Sequence, residues 1–435
     1  MTITYDDSVA YLESLYRLPV RPASDVGLER AAYLLRAVGN PHRAYRSVHV
    51  TGSTGKGSTS TMIARIMEAS GLETGLFRSP HLVDYTERIS IGGTDITQVD
   101  WAHHVAELIP VAEHMRESTS WGRPSLFELL FALASLYFAE AAIPWVVAEV
   151  GLGGRLDATN LLTSDISVIT NVSLEHTQVL GGTTSQIARE KAAIIKPGST
   201  AVTAADDAAA LAEIEAAAAG AGAELLRVGR DIEVQSMGTL IEPEVRLAFG
   251  QERVRATLGA RGRFQVVNAA TAYGAAVGLR RSGVPLSTED IRSGLRHGVV
   301  PGRFEFIPGR PAVIVDGAHN AAGARALADT LAGHEPVTVL FAAMADKDLG
   351  GMARALAPVV RHIVITSVPD SSRGARPEHV AAAFDGLAPI AAIDDDPERA
   401  LSRALALAGD GTLLVTGSLY LVGNVRHRLM GVPAT

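Results

Sequence analysis

Cysteine is absent from all 435 residues, which excludes disulfides, thiolate metal centres and cysteine nucleophiles together. Long hydrophobic runs are scarce too. The run from Leu129 to Ala139 is interrupted by Ser135 and stops at Glu140, short of the roughly 20 apolar residues that cross a bilayer. Met1 to Tyr16 carries Asp6, Asp7 and Glu13 and offers no apolar signal segment. Surplus positive charge is missing as well: the formal net charge is −8, which argues against a broad nucleic-acid-binding face. The expectation is a soluble, cytoplasmic protein with no nucleic-acid or membrane partner. Any anionic ligand must then be held by a few locally placed cations and amides.

What is present is enough apolar material for well-buried cores. Hydrophobic residues make up 47% and charged residues 20%, a balance unlike that of disordered chains. The length exceeds one ordinary core, so two domains are expected. Their division is read at a linker, Val299-Val300-Pro301-Gly302-Arg303, giving domains of 1–299 and 300–435.

The most informative stretch is His49 to Thr59. A buried strand, Ser47-Val48-His49-Val50, leads into Gly52-Ser53-Thr54-Gly55-Lys56-Gly57-Ser58, and Met62, Ile63, Ile66 and Met67 then recur at helical spacing over Thr61 to Ser70. Strand, glycine-rich turn and helix describe a phosphate-binding loop. Glycines let backbone N–H groups turn inward, and a helix N-terminus adds partial positive charge. Lys56 can then reach terminal phosphates, and a Ser58 or Thr59 hydroxyl can ligate Mg²⁺. The spacing is tighter than the strict Gly-x₄-Gly-Lys-Ser/Thr form, so a glycine-rich turn with an accidental lysine is the alternative.

Upstream, residues 5 to 46 read as helical with a break at Pro19 and Pro22, ending at Asn40-Pro41. Downstream, a short strand, Glu73 to Phe77, delivers Arg78-Ser79-Pro80-His81-Leu82 to its carboxyl end. In doubly wound sheets that end faces the ligand crevice. Ser79 and His81 are therefore site candidates, with simple turn chemistry as the other reading. Helices are expected at Val99 to Arg116 and Ser125 to Ala141, the second strongly apolar. Trp145 to Val150 reads as a central parallel strand. Glu149 lies inside it, and a lone carboxylate there is costly unless paired or bound to metal. A metal-side carboxylate is preferred over a structural ion pair. Glycine-rich Gly151 to Asn160 follows.

Ile166 to Asn171 is another buried strand, and His176 falls just beyond it, a ligand candidate against the commoner structural histidine. Thr184 to Ile195 reads as a helix whose Arg189, Glu190 and Lys191 would by themselves be a solvated face. Residues 224 to 259 suggest a small β-hairpin region. Asn268 to Ser282 reads as a helix, and Ser287 caps another that runs to His297. Beyond the linker, strands at Ala312–Val315, Val337–Phe341, His362–Thr366, Ile390–Ile393 and Thr412–Thr416 alternate with helices, a second parallel α/β domain. The fold class is thus α/β: an N-terminal P-loop ATPase-like domain with a mostly parallel sheet, and a smaller C-terminal α/β, Rossmann-like domain.

Taken in order, these motifs resemble the folylpolyglutamate synthase and dihydrofolate synthase family, relatives of the Mur ligases. The segments that carry the resemblance are Val50 through Ser58, Ser79-Pro80-His81-Leu82, Glu87-Arg88-Ile89, Phe127-Glu128 and Glu149 through Asn160. It continues in Leu174-Glu175-His176-Thr177, Glu190-Lys191-Ala192, Pro301-Gly302-Arg303, Asp316-Gly317-Ala318-His319-Asn320, Asp346-Lys347-Asp348 and Gly417 through Val422. Departures from the family pattern include Ser53-Thr54 in the loop, Glu175 where an aspartate is usual, Gln178, Phe264-Gln265 and Arg78.

The resemblance implies an ATP-dependent amide ligase. A substrate carboxylate takes the γ-phosphate, and the amino group of L-glutamate displaces phosphate from the acyl phosphate. Folate or pteroate is the implied acid; a ligase of the same mechanism acting on another carboxylate is the alternative. The resemblance further implies a monomer, an interdomain cleft that closes on ligands, and two Mg²⁺ ions. Gly52, Ser53, Thr54, Gly55, Lys56, Gly57 and Ser58 would hold the phosphates. Ser58, Ser79 and Glu149 would bind the first Mg²⁺, and His176 with Lys191 the second, Lys191 being a carbamate. Lys56, His176 and Lys191 would be catalytic. Asn268, Arg303, Asp316 and His319 would contact the nucleotide, and Phe127, Arg155 and Asp157 the pterin side.

Overall fold

Two separate sheets organise the chain, and the central strands of each are short apolar runs buried on both faces. The computed structural model describes residues 3–17, 22–369, 371 and 373–430; Pro19, read above as part of a helix break, lies outside them. The chain divides into two compact units. The first comprises Met1–Gln235, Val245–Thr257 and Val267–Gly298, the second Ser236–Glu244, Leu258–Val266 and Val299–Thr435.

The first sheet has eight strands: β1 (Arg46–Thr51), β2 (Thr74–Phe77), β3 (Ile89–Ile91), β4 (Thr94–Asp95), β5 (Trp145–Glu149), β6 (Ile166–Ile169), β7 (Thr200–Thr203) and β8 (Glu224–Arg227). Their order is β4-β3-β2-β5-β1-β6-β7-β8. All neighbours from β2 to β8 pair parallel, and β3 and β4 add an antiparallel edge. Every residue of β5 is buried, as expected where helices cover both faces. The helices are α1 (Tyr5–Arg17), α2 (Ala23–Val26), α3 (Glu29–Ala37), α4 (Lys56–Ala69), α5 (Gln98–Ser118), α6 (Leu126–Glu140), α7 (Thr177–Leu180), α8 (Thr184–Ala192), α9 (Ala208–Gly220), α10 (Phe264–Arg281) and α11 (Thr288–His297). Strands β9 (Glu233–Gly238), β10 (Pro243–Phe249) and β11 (Glu252–Thr257) form a small three-stranded sheet.

The second sheet contains β12 (Glu305–Ile307), β13 (Ala312–Val315), β14 (Val337–Phe341), β15 (Val360–Ile365), β16 (Ile390–Ile393) and β17 (Thr412–Thr416), in the order β12-β13-β17-β14-β15-β16. Only β12 pairs antiparallel. Helices α12 (Ala321–Leu331), α13 (Leu349–Leu356), α14 (Pro377–Phe384), α15 (Pro397–Ala408) and α16 (Leu419–Met430) accompany it. The α/β architecture with a mostly parallel first sheet and a second α/β unit is the one expected from the sequence.

Several details differ from the sequence reading for local reasons. Helix α4 starts at Lys56, at the Lys-Gly-Ser where the phosphate-loop reading expects it, because Gly55 turns the chain at φ +79° and its carbonyl already accepts from Thr59 N–H. Residues 224–259 are not one hairpin region: β8 joins the main sheet, and only β9 to β11 form the small one. The edge strands β3, β4 and β12 were not anticipated. The expected cap at Ser287 is present, and Ser125 adds one that the sequence reading does not include. Ser125 and Ser287 each form a capping box at α6 and α11, and each such cap is worth about 1 kcal/mol. No helix among the described residues is long and apolar enough to cross a membrane.

Candidate active site

Strand β1 lies between β5 and β6, with chain connections departing to either side, so its carboxyl end is the topological switch point where α/β sheets bind ligands. The glycine-rich loop leaves β1 at that point. Its path is held by hydrogen bonds that the sequence did not reveal. Asn171, just beyond β6, accepts from Thr54 N–H at 2.8 Å and donates to Thr54 Oγ1 at 2.6 Å. Thr170 Oγ1 donates to Thr54 O at 2.6 Å, and Ser53 N–H donates to Asn171 O at 3.0 Å. The available signal was a Thr-Asn pair directly after a buried strand, on the ligand side of the sheet.

Two glycines are required here. A β-carbon on Gly52 would stand 1.7 Å from Thr170 Oγ1, and one on Gly55 2.3 Å from Asn268 Oδ1. Asn268, buried on α10, is thereby placed against the loop. Lys56 opens α4 and folds back, its Nζ donating to Gly52 O at 2.9 Å. The half-buried lysine and the first N–H groups of α4 share one end of the helix, a suitable place for phosphate.

Glu149, the last residue of β5, pairs across the ladder with Val50 and is 3% exposed. Its Oε2 accepts from Ser79 N–H at 3.0 Å, and a β-carbon on Gly57 would lie 3.4 Å from the same oxygen. The structure therefore gathers the first turn of α4, Ser79 and Glu149 at one place. Ser58 is buried in that turn. The donor set of carboxylate and two serine oxygens is all oxygen, which suits Mg²⁺, an ion that uses one or two carboxylates and completes its shell with water and phosphate oxygens. His81 turns elsewhere: it accepts from Arg88 Nε at 2.8 Å, and burial followed by the Arg88 charge drives its imidazole down to about 3.

Lys191 on α8 is 1% exposed, and its Nζ donates to Glu175 at 2.7 Å. Burial lowers its ammonium from the ordinary 10.5 to about 8, against the pull of Glu175 and with a further push from Lys56. As an ammonium Lys191 does not fit a cation site. His176 sits exposed at φ +43°, at the start of α7.

The residues expected on the pterin side separate in character. Phe127 packs its ring 5.6 Å from Phe77 and closely against Gly151. Arg155 is exposed and pairs with Glu190 at 2.9 Å. Asp157 is buried, and both its oxygens serve the loop. Oδ2 accepts from Gly151 and Leu152 N–H at 3.0 Å, while Oδ1 accepts from Thr159 N–H at 3.0 Å and from the Thr159 hydroxyl. Burial outweighs these bonds and raises its carboxyl to about 6. Thr159 Oγ1 also meets buried His49 at 2.7 Å. Asp157 thus shapes the loop that carries Arg155.

In the second unit, Asp316 follows β13 and is buried; it accepts from Phe304 and Ala318 N–H, both at 2.8 Å. Burial raises its carboxyl and the Arg303 charge opposes this. Arg303 donates to Gly317 O at 3.4 Å, and His319 Nδ1 lies 2.8 Å from the same carbonyl. These three residues form one cluster at a strand's carboxyl end.

Two family models match the chain, the Mur ligase middle domain over residues 50–276 and the Mur ligase glutamate ligase domain over 302–419. Among curated relatives, the folylpolyglutamate synthase of Lacticaseibacillus casei is 34% identical, with 99% of each chain covered. The dihydrofolate synthase/folylpolyglutamate synthase of Bacillus subtilis is 32% identical over 99% of this chain and 100% of its own. The structure of Mycobacterium tuberculosis folylpolyglutamate synthase complexed with ADP superposes with a TM-score of 0.89 at 29% identity, over 98% of this chain and 99% of that one. This chain belongs to the folylpolyglutamate synthase/dihydrofolate synthase family of Mur ligases, a family of ATP-dependent ligases.

Proposed function

We propose that the protein joins L-glutamate by an amide bond to dihydropteroate, to reduced folates, or to both, with ATP as the activating reagent. The observation that supports this most is the meeting of Lys56, the α4 N-terminus, Ser79 and Glu149 at the switch point of the first sheet. The M. tuberculosis relative binds ADP, and a nucleotide at this loop is the corresponding reading here. A carboxylate oxygen of the pterin acid attacks the γ-phosphorus, and the bond to the bridging oxygen breaks with its electron pair leaving on ADP. The glutamate nitrogen then attacks the acyl carbon, phosphate departs, and the amine's proton is lost.

Within that scheme Lys56 and the loop N–H groups neutralise and orient the phosphates, where fixed donors need no reorganisation as charge moves. Thr54, clamped by Asn171, keeps the loop in register. Ser58, Ser79 and Glu149 would hold one Mg²⁺, which supplies charge neutralisation on the transferring phosphoryl group when bound. Lys191 becomes a fitting partner for a second ion only as a carbamate: the neutral amine adds carbon dioxide, releases a proton and becomes an anion, with His176, the residue after its partner Glu175, to complete the pair. Phe127, Arg155 and the loop shaped by Asp157 are assigned to the pterin side. Asn268, Arg303, Asp316 and His319 are assigned to the nucleotide. The domain boundary is placed at 299/300, between the two matched family regions, and the family resemblance supports a cytoplasmic monomer.

Phosphate release should require ATP, Mg²⁺, L-glutamate and either dihydropteroate or tetrahydrofolate together. Release without glutamate would make the protein an ATPase, and no turnover with either pterin would assign it another carboxylate.

A further inference from the structure

Away from the nucleotide loop, α5 and α6 pack side by side, and their ends bring together four side chains that the ligase chemistry does not use. His103, His104 and Glu107 lie on α5, and Glu140 is the last residue of α6. Ligand atoms of His103, His104 and Glu140 all lie within 4.8 Å of one another. Glu107 reaches both rings, with Oε1 3.4 Å from His103 Nε2 and Oε2 3.6 Å from His104 Nδ1. Glu140 Oε2 stands 3.6 Å from His104 Nε2. We propose that His103, His104 and Glu140, with Glu107 beside them, form a binding site for a divalent transition-metal ion of the zinc class that ties α5 to α6.

His104 is the anchor. Its side chain is 3% exposed, it packs edge-on against Tyr137 of α6 at 5.9 Å, and its Nε2 is the ring nitrogen that faces Glu140, while Nδ1 lies on the Glu107 side. Neutral imidazole is the commonest metal ligand, and burial holds this ring below the ordinary histidine value. Both carboxylates stand 3.6 Å from His104, at ion-pair range for a charged ring, but burial favours the uncharged ring that a metal needs.

The electrostatics favour a cation from two sides. Glu140 closes α6 where the last carbonyls already gather partial negative charge, and α6 has no basic residue in its last turn. Adjacent helix positions normally diverge, yet the His103 and His104 rings meet edge-on at 5.2 Å. Tetrahedral zinc with bonds of about 2.0 Å asks for ligand atoms roughly 3.3 Å apart. His103 and Glu140, 58% and 68% exposed, have room to swing the remaining distance around the fixed His104. Nitrogen-rich ligands select zinc-class ions over Mg²⁺, so this site and the all-oxygen set at Glu149 would not compete for the same metal.

The test uses the untagged full chain, stripped with chelator and dialysed, with excess Mg²⁺ present throughout. Co²⁺ binding is followed by its visible d–d bands, Zn²⁺ binding by calorimetry, and melting is recorded with and without Zn²⁺. The variant carries His103→Ala and Glu140→Gln, both exposed positions outside the catalytic machinery, and should keep wild-type ligase activity. We expect one equivalent bound by the wild type and a higher Tm with Zn²⁺. The double variant should bind at least about tenfold more weakly, the lower end of what losing even a supporting partner costs a metal site, and show no Zn²⁺-dependent rise in Tm. Absence of binding to the wild type, or equal binding by the variant, overturns the proposal.

Discussion

Lys191 allows a prediction in which the structure sets the magnitude. Its amine is fully buried and its ammonium lowered to about 8. At about pH 7.5 roughly a quarter of the molecules would then carry the neutral amine, against about one in a thousand for an ordinary lysine near 10.4. Carbon dioxide adds only to the neutral form, so burial raises the reactive population by about 200-fold. The product carries a negative charge where a positive one stood, 2.7 Å from the Glu175 carboxylate. Two anions so close repel, so the carbamate should accumulate only with a cation to balance it, and its yield should rise with Mg²⁺.

The assay is carbon NMR on protein equilibrated with ¹³C-bicarbonate, with and without Mg²⁺, paired with turnover of Lys191→Ala. We expect a carbamate resonance that the variant lacks, and a fall in turnover of about 10²–10³-fold, the scale of losing one preorganised electrostatic group. Short carboxylic acids should partly restore it by occupying the space of the missing anion. A variant with near-normal turnover, or a wild type with no such resonance under any Mg²⁺ concentration, would refute the reasoning.

Glu149→Gln keeps an acceptor for Ser79 N–H, so the fold should survive while Mg²⁺-dependent turnover collapses; unchanged turnover would remove Glu149 from the metal set. Gly55→Ala forces a side chain to φ +79° and into Asn268, so unfolding measurements should show a loss of about 1–3 kcal/mol together with weaker ATP binding, and an unaffected variant would mean the loop is more yielding than described. Glu128→Ala takes the carboxylate from Arg30, a pair whose side chains are 9% and 2% exposed, and should cost about 3–5 kcal/mol in urea denaturation; a loss below about 1 kcal/mol contradicts that. Asp157 has its carboxyl raised to about 6, so its stabilising contribution is fully present below the ordinary aspartate value near 3.9 and is lost as pH rises through about 6. The stability gap between wild type and Asp157→Asn should therefore narrow by about 2 kcal/mol from pH 4 to 7, and a constant gap would show that the loop N–H bonds dominate instead.

What the sequence made legible follows from how local each signal is. The parallel strands were readable because burial on both faces leaves unbroken apolar runs such as Trp145 to Val150, and the cap at Ser287 because a capping residue sits directly before its helix. The antiparallel edge β3–β4 was also locally written: Gly92 and Gly93, at φ +56° and +79°, make a two-residue turn between alternating residues, the pattern that favours primed hairpin turns. Residue types also marked the loop lysine, Glu149 and the second unit's Asp316 cluster, since a charge inside an apolar run or at a strand's carboxyl end is conspicuous in one dimension. Partnerships were not legible. Nothing near Thr54 announces Asn171, 117 residues away, nor does Asp157 disclose that its oxygens are committed to Gly151, Leu152 and Thr159. The α5–α6 cluster is the sharpest instance. His103-His104 was silent because adjacent helical residues point apart, and only the packing of a second helix, ending in Glu140, turns two unremarkable histidines into three converging ligands.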